Sequence, residues 1–142
     1  MGWFDERLRE RPVFQPNVVF VVFYGPEAAP HFKGVHSVSD RRSHRGFVFA
    51  PLTVEGRDHA LINVGHELLH LFGATDKYDA ATNLPTFPDG YADPEQQPLL
   101  PQKFAEIMAG RIALSRTEAE MPHGLDAALV GTRTAHEINW VR

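Results

Sequence analysis

Cysteine is absent from the 142 residues, and that absence removes disulfides, thiolate zinc sites and thiol nucleophiles together. Any metal in this protein must be held by histidine, aspartate or glutamate. The lack of cysteine suits a reducing cytosol without excluding export, so the compartment stays open. Net positive charge is missing as well: 14 Lys and Arg against 18 Asp and Glu leave a formal charge of -4. Little is available to neutralise phosphates, so nucleic acid is not an expected partner. The one basic cluster, DRRSHR at residues 40–45, reads as a solvated loop. Long apolar runs are lacking too. The longest, VVFVVFY at residues 18–24, falls far below the roughly 20 residues that cross a bilayer, so it reads as a buried strand and membrane insertion by this segment is not expected. The first ten residues, MGWFDERLRE, carry charge where a secretory signal would place its apolar core.

What is present has the balance of one ordinary globular domain, 43% hydrophobic and 23% charged, so residues 1–142 are expected to form a single domain. The expected fold class is α+β, a small twisted sheet packed on one functional helix, with further helices towards the C-terminus. Residues 17–24, 34–39 and 46–52 are strand candidates by their β-branched and aromatic content and partial alternation, with Pro30, Gly34 and Gly46 marking turns. A helix is expected over 58–72, with Asp58 as N-cap and Gly73 as its stop. Residues 74–105 carry five prolines and little periodicity, the mark of a functional loop. Ser115 and Glu118 have capping-box spacing, so a short helix is expected there and a second over 125–140.

The helix over 58–72 contains the stretch GHELLHLFGATDKYD, residues 65–79. At 100° per residue, Leu61, Val64, Leu68, Leu71 and Phe72 share one side, which is expected to face the core. On the other side fall His59, Asn63, His66 and His70, with Glu67 beside them. Histidines four apart share a face about 6 Å apart along the axis, so both rings can converge on one ion. Glu67 between them is offset enough to reach a water at that ion instead of the ion itself. By composition, HExxH arises by chance in roughly 3% of such chains, and the added Gly73 and Asp76 at three-residue steps lower this to roughly 0.03%. Gly73 can take the positive φ that ends the helix and turns the chain, which lets Asp76 swing back as third ligand. Otherwise Asp76 is an exposed loop carboxylate or a partner of Lys77.

HELLHLFGATD resembles the HExxHxxGxxH/D signature of the metzincin zinc peptidases, and AEIMAG at residues 105–110 looks like the Met-turn beneath the metal in that clan. The aspartate at the third-ligand position followed closely by a tyrosine, as in DKY at residues 76–78, is most similar to the snapalysin-type bacterial peptidases. The resemblance implies a reduced metzincin-like fold, one catalytic zinc held by His66, His70 and Asp76, Glu67 as general base, Gly73 as the turn and Met108 as the apolar base of the site. It implies a peptide or protein substrate. It covers residues 65–79 tightly and 105–110 loosely, and no long backing helix is legible among the residues before the zinc helix.

Read without the resemblance, Met108 is an ordinary core methionine. Tyr78 is either a donor to an oxyanion or a packing residue. His59 shares the ligand face but sits two turns earlier, too far for the same ion, and reads as a solvated first-turn histidine. His123 and His136 lack a partner at ligand spacing, and Asp79, Asp89, Asp93 and Glu95 lack the spacing of a calcium loop. RGFVFAP, residues 45–51, is the candidate sheet edge for an extended peptide. Three functions fit these residues: a zinc peptidase using metal-activated water, a zinc hydrolase of some other amide or ester, and a non-catalytic binding or scaffold module with a vestigial or structural zinc site.

Overall fold

Valine, phenylalanine and tyrosine fill residues 18–24, and their branched and aromatic side chains suit a pleated surface. The computed structural model, which describes residues 16–141, forms strand β1 there, Val18–Tyr24. The charged opening stretch lies outside the described residues. Two further strands follow, β2 at Val38–Asp40 and β3 at Arg45–Pro51. The sheet order is β1-β3-β2, with β3 parallel to β1 and antiparallel to β2. RGFVFAP is therefore the central strand, correcting its expected place at an edge, and β1 and β2 are the two edges instead. Gly46, expected at a turn, is buried within β3 opposite Val19. The β2–β3 turn is made by Asp40, whose carboxylate accepts from the Arg42 N–H at 3.0 Å, and by His44 at φ 57°.

Along β3 burial alternates, with Gly46, Val48 and Ala50 turned inward. The other face carries Phe47, whose ring stacks on Phe20 of β1 at 5.1 Å. Helix α1, Val54–Phe72, covers the inward face, where Ala60 and Val64 join Val48 and Ala50 in one apolar cluster. The helix begins earlier than expected. Thr53, not Asp58, is its N-cap, its hydroxyl accepting from the Gly56 N–H at 2.9 Å.

The expected apolar side of this helix is only partly right. Leu71 is buried, but Leu61 is 53% exposed and Phe72 50% exposed, while Ile62 and Leu69 are sealed in. The reason is that α1 has two packed faces. One meets the sheet; the other meets the C-terminal half, where Leu69 clusters with Ala74, Ile107, Met108 and Ile138. A single-stripe reading of the helical wheel cannot represent a helix held between two layers.

The C-terminal half is built from short pieces. Strand β4, Ala105–Glu106, pairs parallel with β7, Ala128–Leu129, and β5, Ile112–Ala113, pairs antiparallel with β6, Ala119–Glu120. The helix expected around Ser115 is replaced by the β5–β6 hairpin, in which the Glu118 carbonyl accepts from the Leu114 and Ser115 N–H groups at 2.9 and 3.1 Å. The long helix expected over 125–140 is divided. A 3-10 turn at Leu125–Ala127 leads into β7, and only Thr132–Glu137 forms the helix α2. Pairing with β4 satisfies the backbone of residues 128–129 by long-range bonds, which overrides the local apolar spacing. The whole is a mixed α+β fold. Among the described residues no helix is long and apolar enough to cross a membrane.

Candidate metal centre

His66 and His70 stand one turn apart on α1, and the end of that helix aims the rest of the site. Gly73 has φ 107°, its N–H bonds the His70 carbonyl at 2.9 Å, and the Ala74 N–H bonds the Leu69 carbonyl at 3.0 Å. This paired closure is the Schellman arrangement, and it reverses the chain within two residues. The Arg41 guanidinium lies over Gly73, 3.2 Å from where a Cβ would stand. The reversal then carries Asp76 back to the helix, its Oδ1 at 3.1 Å from His66 Nε2 and 3.2 Å from His70 Nε2.

The two Nε2 atoms are themselves 3.0 Å apart. Each ring has its Nδ1 on a backbone carbonyl, His66 donating to Ile107 at 3.0 Å and His70 to Ala74 at 2.8 Å. A neutral imidazole that donates from Nδ1 has a bare lone pair on Nε2. Two such lone pairs and a carboxylate oxygen therefore face one another at contact distance, which is unfavourable without a positive charge among them. A triangle with edges of 3.0, 3.1 and 3.2 Å is close to one face of a tetrahedral zinc site, where bonds of about 2.0–2.1 Å separate the donors by about 3.3 Å. His66, His70 and Asp76 can hold a metal ion; they are the one such group among the described residues.

Glu67 lies beside this triangle. It is 5% exposed, and its Oε2 has no hydrogen-bond partner among the described residues. It lines a cavity of about 400 Å³ together with His66, His70, Asp76 and Tyr78. A second cavity of about 270 Å³ shares Ser37, His66, Glu67 and Tyr78 with the first. A buried carboxylate oxygen left unpaired costs about 1–3 kcal/mol or more, so it marks a site with a use for it.

The electrostatics follow from the same contacts. For His66, burial is the largest influence and opposes its charged form. The hydrogen bonds to Asp76 and Ile107 and the charges of Asp76 and Glu67 outweigh it, so its pKa rises above the ordinary 6.5. The hydrogen bond from His66 holds the Asp76 carboxyl below its ordinary 3.8, against the opposing effect of burial. Tyr78 sits with its ring 6.4 Å from that of His66. Burial first, then the charges of Asp76 and Glu67, push its pKa above 10.0, which keeps its hydroxyl protonated and able to donate.

Met108 is fully buried in the turn after β4, clustered with Leu69 and Ala74 of the helix end. This agrees equally with an ordinary core methionine. His123 and His136 are exposed and do not belong to the metal-capable group. Asp79 turns its carboxylate into its own loop, accepting from the Ala81 and Thr82 N–H groups. Gly65 escaped notice in the sequence: a Cβ there would stand 2.8 Å from Ile107 Cδ1, so its small size admits the turn whose carbonyl holds His66. Its position just before HELLH was the only available signal. Comparison of the chain with family models, curated proteins and solved structures finds no match in any of the three.

Proposed function

We propose that the chain is a zinc-dependent peptidase of the metzincin type, in which His66, His70 and Asp76 hold the ion and Glu67 is the general base. The observation that carries the reading is the convergence of two Nε2 lone pairs and Asp76 Oδ1 within 3.2 Å, beside a buried Glu67 oxygen with no partner. Zinc at such a site supplies Lewis acidity, making water acidic near neutral pH and polarising a carbonyl oxygen. The Glu67 carboxylate takes the proton from the attacking water as the water oxygen adds to the scissile carbonyl carbon. It then delivers that proton to the leaving amine nitrogen as the C–N bond breaks. The protonated Tyr78 hydroxyl donates to the oxyanion that forms in between. Met108, in its buried turn, would be the apolar floor beneath the ligands.

The substrate in this reading is an extended peptide laid along β2. That strand pairs only with β3 among the described residues, and Ser37, Val38 and Ser39 line the cavity with the histidines. A free strand edge next to the chemistry offers main-chain hydrogen bonds to a peptide while the side pockets read its side chains. A vestigial or purely structural zinc site would have no use for a buried unpaired carboxylate, so Glu67 favours the catalytic reading over a binding module.

The test is zinc content per chain by mass spectrometry after dialysis against dilute chelator, for the wild type and Asp76→Ala, followed by a peptide-library screen. One zinc in the wild type, loss in the variant and cleavage that vanishes in Glu67→Ala support the proposal. A wild type that retains no zinc sinks it.

A further inference from the structure

Each of the two histidines is oriented by a peptide unit, and each of those peptide units is gripped from behind by a glutamate. The carbonyl of Ile107 accepts from His66 Nδ1 at 3.0 Å. That carbonyl shares its peptide plane with the Met108 N–H, which points the opposite way because the peptide is trans and planar. The Met108 N–H is held at 2.6 Å by Glu106 Oε2. The same construction recurs at the second histidine. The Ala74 carbonyl accepts from His70 Nδ1 at 2.8 Å, and the N–H on the far edge of that peptide, Thr75, is held by Glu137 Oε2 at 2.9 Å.

Both glutamates are themselves anchored. Glu106 has no exposed surface, and its four acceptances are complete: Met108 and Ala109 N–H on Oε2, the Thr134 hydroxyl at 2.7 Å and the Gly131 N–H at 3.2 Å on Oε1. Glu137 accepts from the buried Lys77 ammonium at 2.7 Å, and Lys77 also bonds the Thr75 carbonyl and hydroxyl. Thr134 and Glu137 lie three apart on α2. A short helix distant in sequence thus holds the Ala74–Thr75 peptide directly through Glu137 and the Ile107–Met108 peptide indirectly, through Thr134 on Glu106. Through Thr75 and Lys77 it also steadies the segment that carries Asp76.

We propose that Glu106 and Glu137 are positioning residues for the metal centre, each acting through one peptide unit on one histidine: Glu106 on His66 and Glu137 on His70. The proposal rests on the reading that the two histidines and Asp76 hold zinc. By fixing the peptide plane, each carboxylate fixes the ring that donates to it, keeping the proton on Nδ1 and the lone pair on Nε2 aimed at the ion. Partners of this kind typically contribute 10–100-fold to metal affinity.

The test compares zinc affinity, by chelator competition, with the ring ¹⁵N shifts of His66 and His70, in the wild type, Glu106→Gln, Glu137→Gln, Glu137→Ala and Thr134→Val. Glu137→Ala should lose about 10–100-fold in affinity, with Glu137→Gln, whose amide oxygen can still hold the Thr75 N–H, recovering most of it. The glutamine variants are the selective readout: Glu106→Gln should move the His66 ring shifts and spare those of His70, and Glu137→Gln should do the reverse. Thr134→Val, which keeps its shape, reads the Glu106 arm should larger changes there prevent folding, and should move the His66 shifts alone. Val48→Ala, in the cluster between α1 and the sheet, should lower the melting temperature while leaving affinity and ring shifts in place. Unchanged affinity and shifts in all the Glu and Thr variants, or shifts that move together at both rings, overturn the proposal while leaving the zinc reading intact. A wild type without zinc overturns the zinc reading, and the selectivity of the ring shifts in metal-free protein then decides the positioning roles by themselves.

Discussion

The Nε2 atoms of His66 and His70 lie 3.0 Å apart while both Nδ1 atoms are engaged by backbone carbonyls. With no metal present, the way to relieve that apposition is a proton, and Asp76 is placed to share it. The His66 pKa is raised, so its contribution to folding is fully present below the ordinary 6.5 and is lost as pH rises through the folded value. The Asp76 pKa is lowered, so its contribution is present above 3.8 and is lost as pH falls through the folded value. In chelator, the stability difference between wild type and Asp76→Ala should therefore be greatest from about pH 4 to about pH 6.5 and shrink towards alkaline pH. Thermal melts across pH check this. Zinc affinity should run the other way, rising with pH as the competing proton leaves. A flat difference between the two proteins across that range would disprove the shared proton.

Glu67 carries an unpaired buried oxygen, so function here is expected to oppose stability. Glu67→Met should raise the stability of the metal-free protein by about 1–3 kcal/mol, because an unsatisfied polar group is removed. The same variant should retain zinc and lose at least about 100-fold in peptide turnover. Melting curves in chelator, zinc analysis and an assay check the three parts separately.

Gly73 combines φ 107° with the Arg41 guanidinium 3.2 Å from a would-be Cβ. Gly73→Ala is expected to cost about 1–2 kcal/mol from the backbone conformation alone. Removing the guanidinium in Arg41→Ala/Gly73→Ala should return only the steric part. Because the reversal at Gly73 aims Asp76, zinc affinity should fall along with the melting temperature. Chelator competition measures the first and calorimetry the second.

Tyr78 has a raised pKa and faces the same cavity as Glu67 and Asp76. If its hydroxyl donates to the oxyanion, Tyr78→Phe should lower kcat by about 100-fold with little change in KM. An unchanged kcat would mean that the ring only packs.

The core of the site was legible because its signals are local. Two histidines four apart share a helix face by geometry, and a glycine is the residue that turns a chain at positive φ, so HELLHLFG pointed to the histidine pair and the reversal towards Asp76 without any distant contact. The helix stop at Gly73 and the strand at residues 18–24 were legible for the same reason, although that strand is not buried as its apolar run implied, Phe20 and Phe23 being 44% and 43% exposed on an edge strand. The helix start was not, because Thr53 and Asp58 are both good caps and packing on the sheet selected the earlier one. Ser115 and Glu118 had the spacing of a capping box, yet backbone pairing between β5 and β6 won.

What the sequence by itself determined is the candidate donor set: histidine, histidine and aspartate, with a glutamate beside them, in a chain that has no cysteine to offer. Only the tertiary structure decided how those donors are held. The bond from His66 to Ile107 spans 41 residues, the bond from Thr75 to Glu137 spans 62, and Thr134 reaches Glu106 across 28. Glu106 and Glu137 look like any other charged residues until the chain has folded, because no periodicity links positions so far apart. The physical reason is that a helix or a turn is specified by neighbours along the chain, whereas the orientation of a ring or a peptide plane is specified by whatever the fold presses against it.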